Sequence, residues 1–522
     1  MINSIKKLHH FANRHELLLL LLLLTTVLRL PSLYEPLWYG DENIYLAIGQ
    51  AMRMGRTLYS TVIDYPNKPP LIYIFASLSQ TVSVFRFLLL IWSMFTTAFF
   101  FALAKRFTNS TTALTIASLV FILATSTPYY EANIANSEIF FITPILLGLI
   151  FLTNKPTTKL ITTKPLNHLL AGIALGFAFL FKIHVALDIA AIGLFFYIFP
   201  HKFSLKLPLK LIKDKKLLSF LFGTSIPIVL ILVFYASKGV SPLSLFLTAA
   251  GSSQYVSVWG NQEIFLQTIG LGSLQSRLVL LILITLVIFK LKSRLHPATT
   301  LIFTWSVFTL FAALLSARNY PHYLIQAMPP LTLGLVIYLS ISKRLDKLVL
   351  LTAYLLFLGA FYRFDFYHYP VVSYYKNFIA YSTGQIETNE YYRRFDGRMP
   401  RNYKLAEYIR QLTGPEDQIY IWGTEPGVYV LANRLQVEKL VVSFHVADLD
   451  YYQQTITSLE EELPRVIVVM ESEKRDFKAL ERLLATSYNQ ITQIGDPDKS
   501  PQENIGSRAF VYKLKQPHPS KP

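Results

Sequence analysis

The chain has 522 residues, 52% of them hydrophobic, with a mean hydropathy of +0.39 and a net charge of +17. This apolarity argues against a purely soluble globular protein, and the absence of cysteine excludes disulfides, thiolate chemistry and thiolate metal sites. The composition therefore predicts a membrane protein.

The excess of basic over acidic residues lies in six short segments that flank apolar runs. Residues 1–16, 105–106, 155–164, 202–216, 290–294 and 343–347 hold 20 Lys and Arg but only three acids, which accounts for the whole net charge of +17. These segments alternate along the chain as cytoplasmic loops do under the positive-inside rule. A nucleic-acid partner is not needed to explain the charge.

Eleven apolar runs approach the roughly 20 residues that cross a bilayer. The first, Leu17 to Leu30, is followed by no small-residue cleavage site and is predicted to be an uncleaved span. The runs around Lys182 and His184 form either one bent span or two, and the lysine-rich segment 202–216 favours two. Eleven spans with a cytoplasmic N-terminus place the C-terminus outside. The later runs cover about 84–104, 111–128, 138–153, 168–181, 184–200, 217–236, 271–289, 298–316, 323–341 and 348–361.

From Asn402 onward the composition is that of a soluble domain. Strands at 418–423, 465–470 and 509–514 alternate with helices at 403–412, 427–432, 451–463 and 476–486, which predicts a small α/β layer. No GxGxxG motif follows Trp422-Gly423, so a structural or acceptor-recognition role is favoured over nucleotide binding. The predicted organisation is a transmembrane module over 1–361, a linker over 362–401, an extracytoplasmic domain over 402–515 and a disordered tail over 516–522.

The first outer loop, residues 31–83, carries two adjacent acids and a later lysine. Asp41 and Glu42 head an amphipathic helix, so Asp41 is either its N-cap or a general base or metal ligand at the membrane surface. Glu42 is either a first-turn acid favoured by the helix dipole or a partner in that chemistry. Lys68 either snorkels at the interface or binds phosphate.

Further charged residues fall on the same predicted outer face. Glu138 either serves the dipole of its helix or faces a cavity as a second carboxylate. Taken singly, the other residues are interfacial anchors, but together they would favour a phosphate-bearing lipid headgroup: Lys182, His184, Arg318, Tyr320, His322 and Tyr323. His184 and His322 could join the acids in binding a metal, although their spacing has no metal signature.

Several of these motifs resemble those of the GT-C glycosyltransferases. They are Asp41-Glu42-x-x-Tyr45, Lys68-Pro69-Pro70, Ala135-Asn136-Ser137-Glu138, Phe181-Lys182 and Arg318-x-x-x-His322-Tyr323. The likeness covers residues 15–342 and is strongest to the branch of protein O-mannosyltransferases and aminoarabinose transferases, the family 39-like enzymes. It implies a polytopic α-helical membrane protein with the GT-C fold, about 11 transmembrane helices and a C-terminal extracytoplasmic α/β domain, located in the plasma membrane.

The resemblance implies an inverting transfer of a sugar from a polyprenyl-phosphate donor to an acceptor hydroxyl on the outer face. Asp41 matches the catalytic base and Glu42 its neighbour, while Lys68, Arg318 and Lys182 match ligands of the donor phosphate. The remaining candidate residues match second-acid or substrate positions: Glu138, His322, Tyr45 and Tyr323. No cofactor is certain, and a divalent cation held by Asp41, Glu42 and Glu138 is left open. The partners are the lipid-linked donor, membrane lipid and an acceptor that is a protein, lipid or glycan.

Three other functions compete with this one. A polysaccharide polymerase or ligase is another membrane enzyme with a catalytic outer loop, but it would carry its main basic loop late in the chain. A transporter or flippase of lipid-linked sugars would explain the spans, yet the sequence has no internal repeat and no matched broken helices. A membrane scaffold with a binding domain would not need Asp41.

Overall fold

The computed structural model describes residues 2–63, 68–154, 162, 164–202, 206–242, 274–316 and 318–515, with side chains from Glu16 onward. Residues 64–67 of the first loop, most of the segment between the predicted spans 217–236 and 271–289, and the tail predicted at 516–522 lie outside the described residues. The chain divides into two compact units. The first contains Met1–Leu30, Leu88–Phe234 and Val256–Val371, and the second contains Pro31–Phe87, Tyr235–Tyr255 and Val372–Pro522.

Apolar helices make up most of the first unit. In chain order they are α1 (Ile2–Arg29), α4 (Val82–Ala104, which begins in the second unit), α5 (Thr111–Ser126), α6 (Ser137–Leu152), α7 (Pro165–Phe179), α8 (Ala186–Gly193), α9 (Leu207–Ile212), α10 (Lys215–Ser237), α11 (Leu274–Leu291), α12 (Pro297–Ala313), α13 (Met328–Ser340) and α14 (Arg344–Arg363). A 3-10 helix (Ile183–Val185) and a π-helical turn (Leu194–Ile198) flank α8, and a second 3-10 helix (Pro321–Ala327) leads into α13.

Each of the eleven predicted spans coincides with an apolar helical segment. Within the described residues, six segments are long and apolar enough to cross a membrane: Glu16–Leu33, Val82–Ala104, Lys215–Ser237, Leu274–Arg294, Pro321–Ser340 and Arg344–Arg363. The shorter apolar helices are Thr111–Ser126, Ser137–Leu152, Pro165–Phe179, Ile183–Ile198 and Pro297–Ala313. By length and composition, six of the predicted spans are thus candidates for crossing a membrane, and the total of eleven stays a prediction.

Small residues let two helices of the first unit approach backbone to backbone. A Cβ atom at Gly172 in α7 would overlap the carbonyl of Phe220 in α10, and one at Gly223 would overlap the carbonyl of Leu169. Such glycine-mediated contacts are typical of helices that pack within a bilayer, where burial of apolar surface provides little drive for association.

The helical structure is interrupted between α7 and α8. This is the point where the sequence was compatible with either one bent span or two spans. Lys182 is extended, with φ −159° and ψ 132°, and the 3-10 helix follows it directly. The structure therefore has two helical segments here. Their junction presents Lys182 outside a regular helix.

The second unit combines the first loop with the C-terminal region, which we define as residues 372–515. Its first-loop helices are α2 (Gly40–Arg53) and α3 (Leu71–Ser77). The C-terminal region contains α15 (Val371–Ser382), α16 (Thr388–Arg393), α17 (Met399–Leu412), α18 (Gly427–Ala432), α19 (Ser443–Asp448), α20 (Tyr452–Glu461) and α21 (Lys478–Ser487). Helices α15 and α16 fall in the segment 362–401, for which the sequence predicted only a linker.

A four-stranded sheet forms the centre of the C-terminal region. Its strands are β1 (Ile419–Trp422), β2 (Val466–Met470), β3 (Tyr488–Ile494) and β4 (Ala509–Leu514), in the order β1-β2-β4-β3. Strands β1 and β2 are parallel, with Ile419 opposite Val466, and the other pairs are antiparallel. The structure confirms the three predicted strands. The sequence missed β3 because this edge strand is mostly polar and largely exposed between its buried ends, Tyr488 and Ile494.

Candidate functional site

Helix α2 carries the two adjacent acids of the first loop. It begins at Gly40 with Tyr39 as its N-cap, so Asp41 lies in the first turn and the N-cap interpretation of Asp41 is wrong. As predicted, the apolar side of α2 is buried, including Ile44, Ile48 and Ala51.

Asp41, Lys68 and Tyr45 form one cluster. The Lys68 Nζ lies 2.9 Å from Asp41 Oδ2 and 2.5 Å from the Tyr45 hydroxyl, which itself donates to Asp41 Oδ2 at 3.0 Å. Tyr45 is buried one helical turn after Asp41, and the Lys68 ammonium lies 4.5 Å from its ring centroid. The Asp41 side chain stays 39% exposed. The structure thus joins residues 27 positions apart into an accessible pair of opposite charges.

His445, from α19, lies within the electrostatic influence of this pair. The pKa of His445 is lowered to about 3, chiefly by burial and then by the charge of Lys68, while the charge of Asp41 acts in the opposite direction. The imidazole is therefore neutral at physiological pH. Nothing in the local sequence around His445 indicated this position.

Glu42 points to the interior and binds Arg86 of α4. Both side chains are fully buried. Arg86 Nε donates to Glu42 Oε1 at 3.0 Å and Nη2 donates to Oε2 at 2.5 Å, which is the bidentate geometry of a strong arginine–carboxylate pair. Arg86 also donates to the carbonyls of Ser32, Glu35 and Pro36, at 2.9, 3.0 and 3.3 Å. One guanidinium thus ties the start of the first loop to α2.

Glu35 extends this buried network. Its carboxylate accepts hydrogen bonds from the Trp38 indole, at 3.0 Å, and from the Tyr374 hydroxyl of the C-terminal region. Burial, and then the charge of Glu35, raise the pKa of Tyr374 well above its usual value, so the phenol remains a donor. Sequence reasoning missed Glu35 and Arg86. Arg86 had a signal, because it is a cation inside the apolar run 84–104.

In the first unit, Glu138 and Lys182 form a buried ion pair. Glu138 lies in the first turn of α6, and Lys182 donates to its Oε1. The Lys182 ammonium also lies 4.2 Å from the ring centroid of Tyr323, a cation–π contact. The structure therefore brings together three of the predicted site residues. Glu138, which seemed isolated in the sequence, has a basic partner 44 positions away.

His322 is held by an acid that the sequence analysis did not single out. Its Nδ1 bonds Glu131 Oε2, while the Tyr367 hydroxyl donates to Glu131 Oε1 at 3.1 Å. Glu131 adopts a left-handed conformation, with φ 57°, which is uncommon for a residue with a side chain. Burial and the charge of Glu131 raise the pKa of Tyr367. A carboxylate that orients an imidazole in this way fixes which ring nitrogen remains for another partner.

Arg318 lies half-buried in the segment between α12 and the 3-10 helix that carries His322 and Tyr323. His184 lies in the 3-10 helix before α8, where its carbonyl accepts a hydrogen bond from Gln326. The same amide also donates to Asp188, a buried acid bonded by the Trp305 indole at 2.6 Å. Asp188 was a further residue missed in an otherwise apolar run.

The three carboxylates suggested as metal ligands each contact a basic side chain. Asp41 contacts Lys68, Glu42 contacts Arg86 and Glu138 contacts Lys182. Across the residues that the structure describes, no group of three His, Asp or Glu side chains could hold a metal ion.

Comparison with known proteins gives the fold. No protein-family model and no curated protein sequence matches the chain. The crystal structure of ArnT from Cupriavidus metallidurans bound to undecaprenyl phosphate matches 96% of this chain and 98% of ArnT, with 14% identity and a TM-score of 0.54. The apo structure of ArnT matches 95% and 97%, also with 14% identity, at a TM-score of 0.52.

The archaeal oligosaccharyltransferase AglB from Archaeoglobus fulgidus, in complex with an inhibitory peptide and a dolichol-phosphate, matches 94% of this chain and 74% of its own. With an identity of 12% and a TM-score of 0.43, this similarity is weaker than that to ArnT. The two ArnT structures, aligned over nearly the whole length, show that the chain has the fold of ArnT. This agrees with the resemblance to aminoarabinose transferases that the sequence motifs predicted.

Proposed function

We propose that the chain is a membrane glycosyltransferase that moves a sugar from a polyprenyl-phosphate donor to an acceptor hydroxyl. The observation that carries this proposal is the accessible cluster of Asp41, Lys68 and Tyr45 at the start of α2. A carboxylate beside a single exchangeable ammonium has the two groups that such a transfer needs. The undecaprenyl phosphate bound to ArnT supports a polyprenyl phosphate as the lipid part of the donor.

In this transfer Asp41 acts as general base. It takes the proton of the acceptor hydroxyl as that oxygen forms a bond to the anomeric carbon. The bond from the anomeric carbon to the phosphate oxygen breaks, and its electron pair leaves with the lipid phosphate. Attack from the face opposite the phosphate inverts the anomeric centre.

Lys68 supplies the charge that the leaving phosphate requires. Lysine is a flexible point charge with three donors, so its ammonium can turn from Asp41 to an incoming phosphate. Stabilising charge that develops on a leaving group commonly contributes several kcal/mol to catalysis. Tyr45 donates to Asp41 and keeps the carboxylate oriented when Lys68 moves.

Glu42 acts on this chemistry through α2. Its carboxylate is fully engaged by Arg86, and we assign it a positioning role next to the base. In the first unit, Lys182 and Arg318 are proposed as further ligands of the donor phosphate, and Glu138 holds Lys182. His322 and Tyr323 are proposed as substrate contacts, and Glu131 orients the His322 ring. We place the reaction on the outer face of the plasma membrane, with the N-terminus inside, because the basic segments follow the positive-inside pattern.

The test uses the full-length chain in membranes supplied with radiolabelled sugars on polyprenyl phosphate. Wild type should incorporate label into an acceptor, and Asp41→Asn should lose about 100-fold or more of the rate, because general-base catalysis contributes 10²–10⁴-fold. Lys68→Met should lower donor binding as well as rate. Glu407→Gln removes an exposed carboxylate of α17 and serves as the matched control.

Three outcomes would contradict the proposal. Undiminished transfer by Asp41→Asn would remove Asp41 as the base. Failure of wild type to incorporate label from any polyprenyl-phosphate sugar would refute the donor class. Movement of labelled lipid across the membrane without covalent incorporation would instead support a transporter or flippase.

A further inference from the structure

Helix α2 lies directly against the first turn of α18 in the C-terminal region. Gly427 begins α18, and a Cβ atom at this position would lie 2.9 Å from Asn43 Oδ1 and 3.2 Å from Leu37 Cδ2. Asn43 follows Asp41 by two residues and is buried. The backbone of α18 thus sits as close to the catalytic turn of α2 as the absence of a side chain permits.

A second contact fixes the C-terminal end of α2. The Gln50 amide donates to the carbonyls of Tyr429 and Arg434, at 3.2 and 2.9 Å. The Arg434 guanidinium is bound in turn to the hydroxyl and carbonyl of Thr413, at 2.8 and 2.7 Å. The acceptors that Gln50 uses therefore lie in α18 and in the segment directly after it, which Arg434 ties to Thr413.

The segment between α2 and Lys68 is attached to the same region. Arg56 donates to the carbonyls of Gln436 and Val437, at 2.9 and 3.3 Å. Five residues before Lys68, the backbone N–H of Ile63 donates to the carbonyl of Lys439 at 3.0 Å. Helix α2 and the chain that follows it as far as Ile63 are thus anchored on residues 427–439.

We propose that the C-terminal region is a positioning element of the transfer site, and that Gly427 is the positioning residue that determines how closely α2 packs against α18. This inference rests on the proposed function. In this role the C-terminal region holds Lys68 Nζ and Asp41 Oδ2 2.9 Å apart. Its role is then not limited to recognising an acceptor. A side chain at residue 427 would press on the Asn43 side chain and so displace α2, with Asp41 and Tyr45 on it, while all the side chains of the cluster remain chemically unchanged.

The test is a set of substitutions at this contact in the full-length protein, purified in lipid nanodiscs. Gly427→Ala should lower kcat by up to about 10-fold, because relieving the contact at 2.9 Å needs a shift of about half an ångström and a misplacement of about 1 Å can cost about 100-fold. It should also weaken the binding of undecaprenyl phosphate, measured without any acceptor. Gly397→Ala is the matched control, because a Cβ atom there meets nothing within 4 Å.

A rescue variant separates positioning from loss of folding. Asn43→Ala removes the oxygen that a side chain at 427 would strike, so Asn43→Ala/Gly427→Ala should recover most of the kcat and lipid affinity lost by Gly427→Ala. Thermal unfolding of each variant shows that the assayed protein is folded. A general destabilisation would not be reversed by removing a second buried side chain.

The inference and the proposed function fail differently. If wild type transfers sugar and folded Gly427→Ala matches it in kcat and lipid affinity, the positioning role is refuted while the transferase stands. If wild type transfers nothing, the proposed function fails, and lipid binding still decides the positioning role. Equal losses of kcat and lipid affinity in Gly427→Ala and in the double variant would also refute the positioning role. In that case the contact with Asn43 would not be the cause of the losses.

Discussion

Arg86 offers the sharpest test of how the first loop is held. Its guanidinium makes five hydrogen bonds, two to Glu42 and three to the carbonyls of Ser32, Glu35 and Pro36. Removing one partner of a buried ion pair leaves an uncompensated charge, which costs about 3–5 kcal/mol. Arg86→Met should therefore destabilise the protein by this amount and lower transfer activity, since α2 loses its link to the loop.

The matched control is Arg394→Met, which breaks an exposed pair. Arg394 and Glu390 are 44% and 43% exposed, and such surface pairs contribute about 0.2–1 kcal/mol. Unfolding by a denaturing detergent, followed by tryptophan fluorescence, gives the stability of both variants. Glu42→Leu added to Arg86→Met should recover part of the loss, because it removes the buried carboxylate left without its cation. Equal stability of Arg86→Met and Arg394→Met would refute the argument.

Two further predictions concern the pH dependence of stability. Because burial and the charge of Lys68 lower the pKa of His445 from 6.5 to about 3, the unfolded chain takes up a proton that the folded chain excludes. The stability that the neutral His445 contributes is present above pH 6.5 and should be lost as the pH falls toward 3. In His445→Gln this decline should be weaker, and the difference should already be visible above pH 4.5, where Glu471 does not contribute. Hydrogen bonds from Arg508 lower the pKa of Glu471 from 4.5 to about 2, so its contribution is present above pH 4.5 and is lost as the pH falls toward 2. Unfolding midpoints of Glu471→Gln against wild type below pH 4.5 check this, and parallel curves would contradict it.

The apolar helices were predictable because hydrophobic runs and basic loops are local features of the sequence. The break at Lys182 was visible for the same reason, as a charge inside an apolar run. Strand β3 was not, because it is mostly polar and exposed between its two buried ends and so lacks the hydrophobic pattern that identifies a strand. Local pattern thus predicted the elements that bury most apolar surface and missed β3 and the helices α15 and α16 of the predicted linker.

Candidate site residues were predictable as types but not as pairs. A base and a phosphate ligand in one loop pointed to Asp41 and Lys68, and the structure joins them. The sequence did not show that Glu42 pairs with Arg86 or that His322 pairs with Glu131, because these partners are 44 and 191 positions apart. The pairing of these side chains depends on tertiary packing, which the local pattern of a single sequence does not specify.

The two adjacent acids show how the fold divides their roles. Successive residues of a helix point about 100° apart, so Asp41 faces out when Glu42 faces in. The buried acid has arginine, a planar fork that binds both carboxylate oxygens and stays fixed. The accessible acid has lysine, a single mobile charge that can be exchanged for a phosphate oxygen. A rigid pair therefore holds the helix, and next to it an exchangeable pair is available for chemistry, which is why we assign positioning to Glu42 and proton transfer to Asp41.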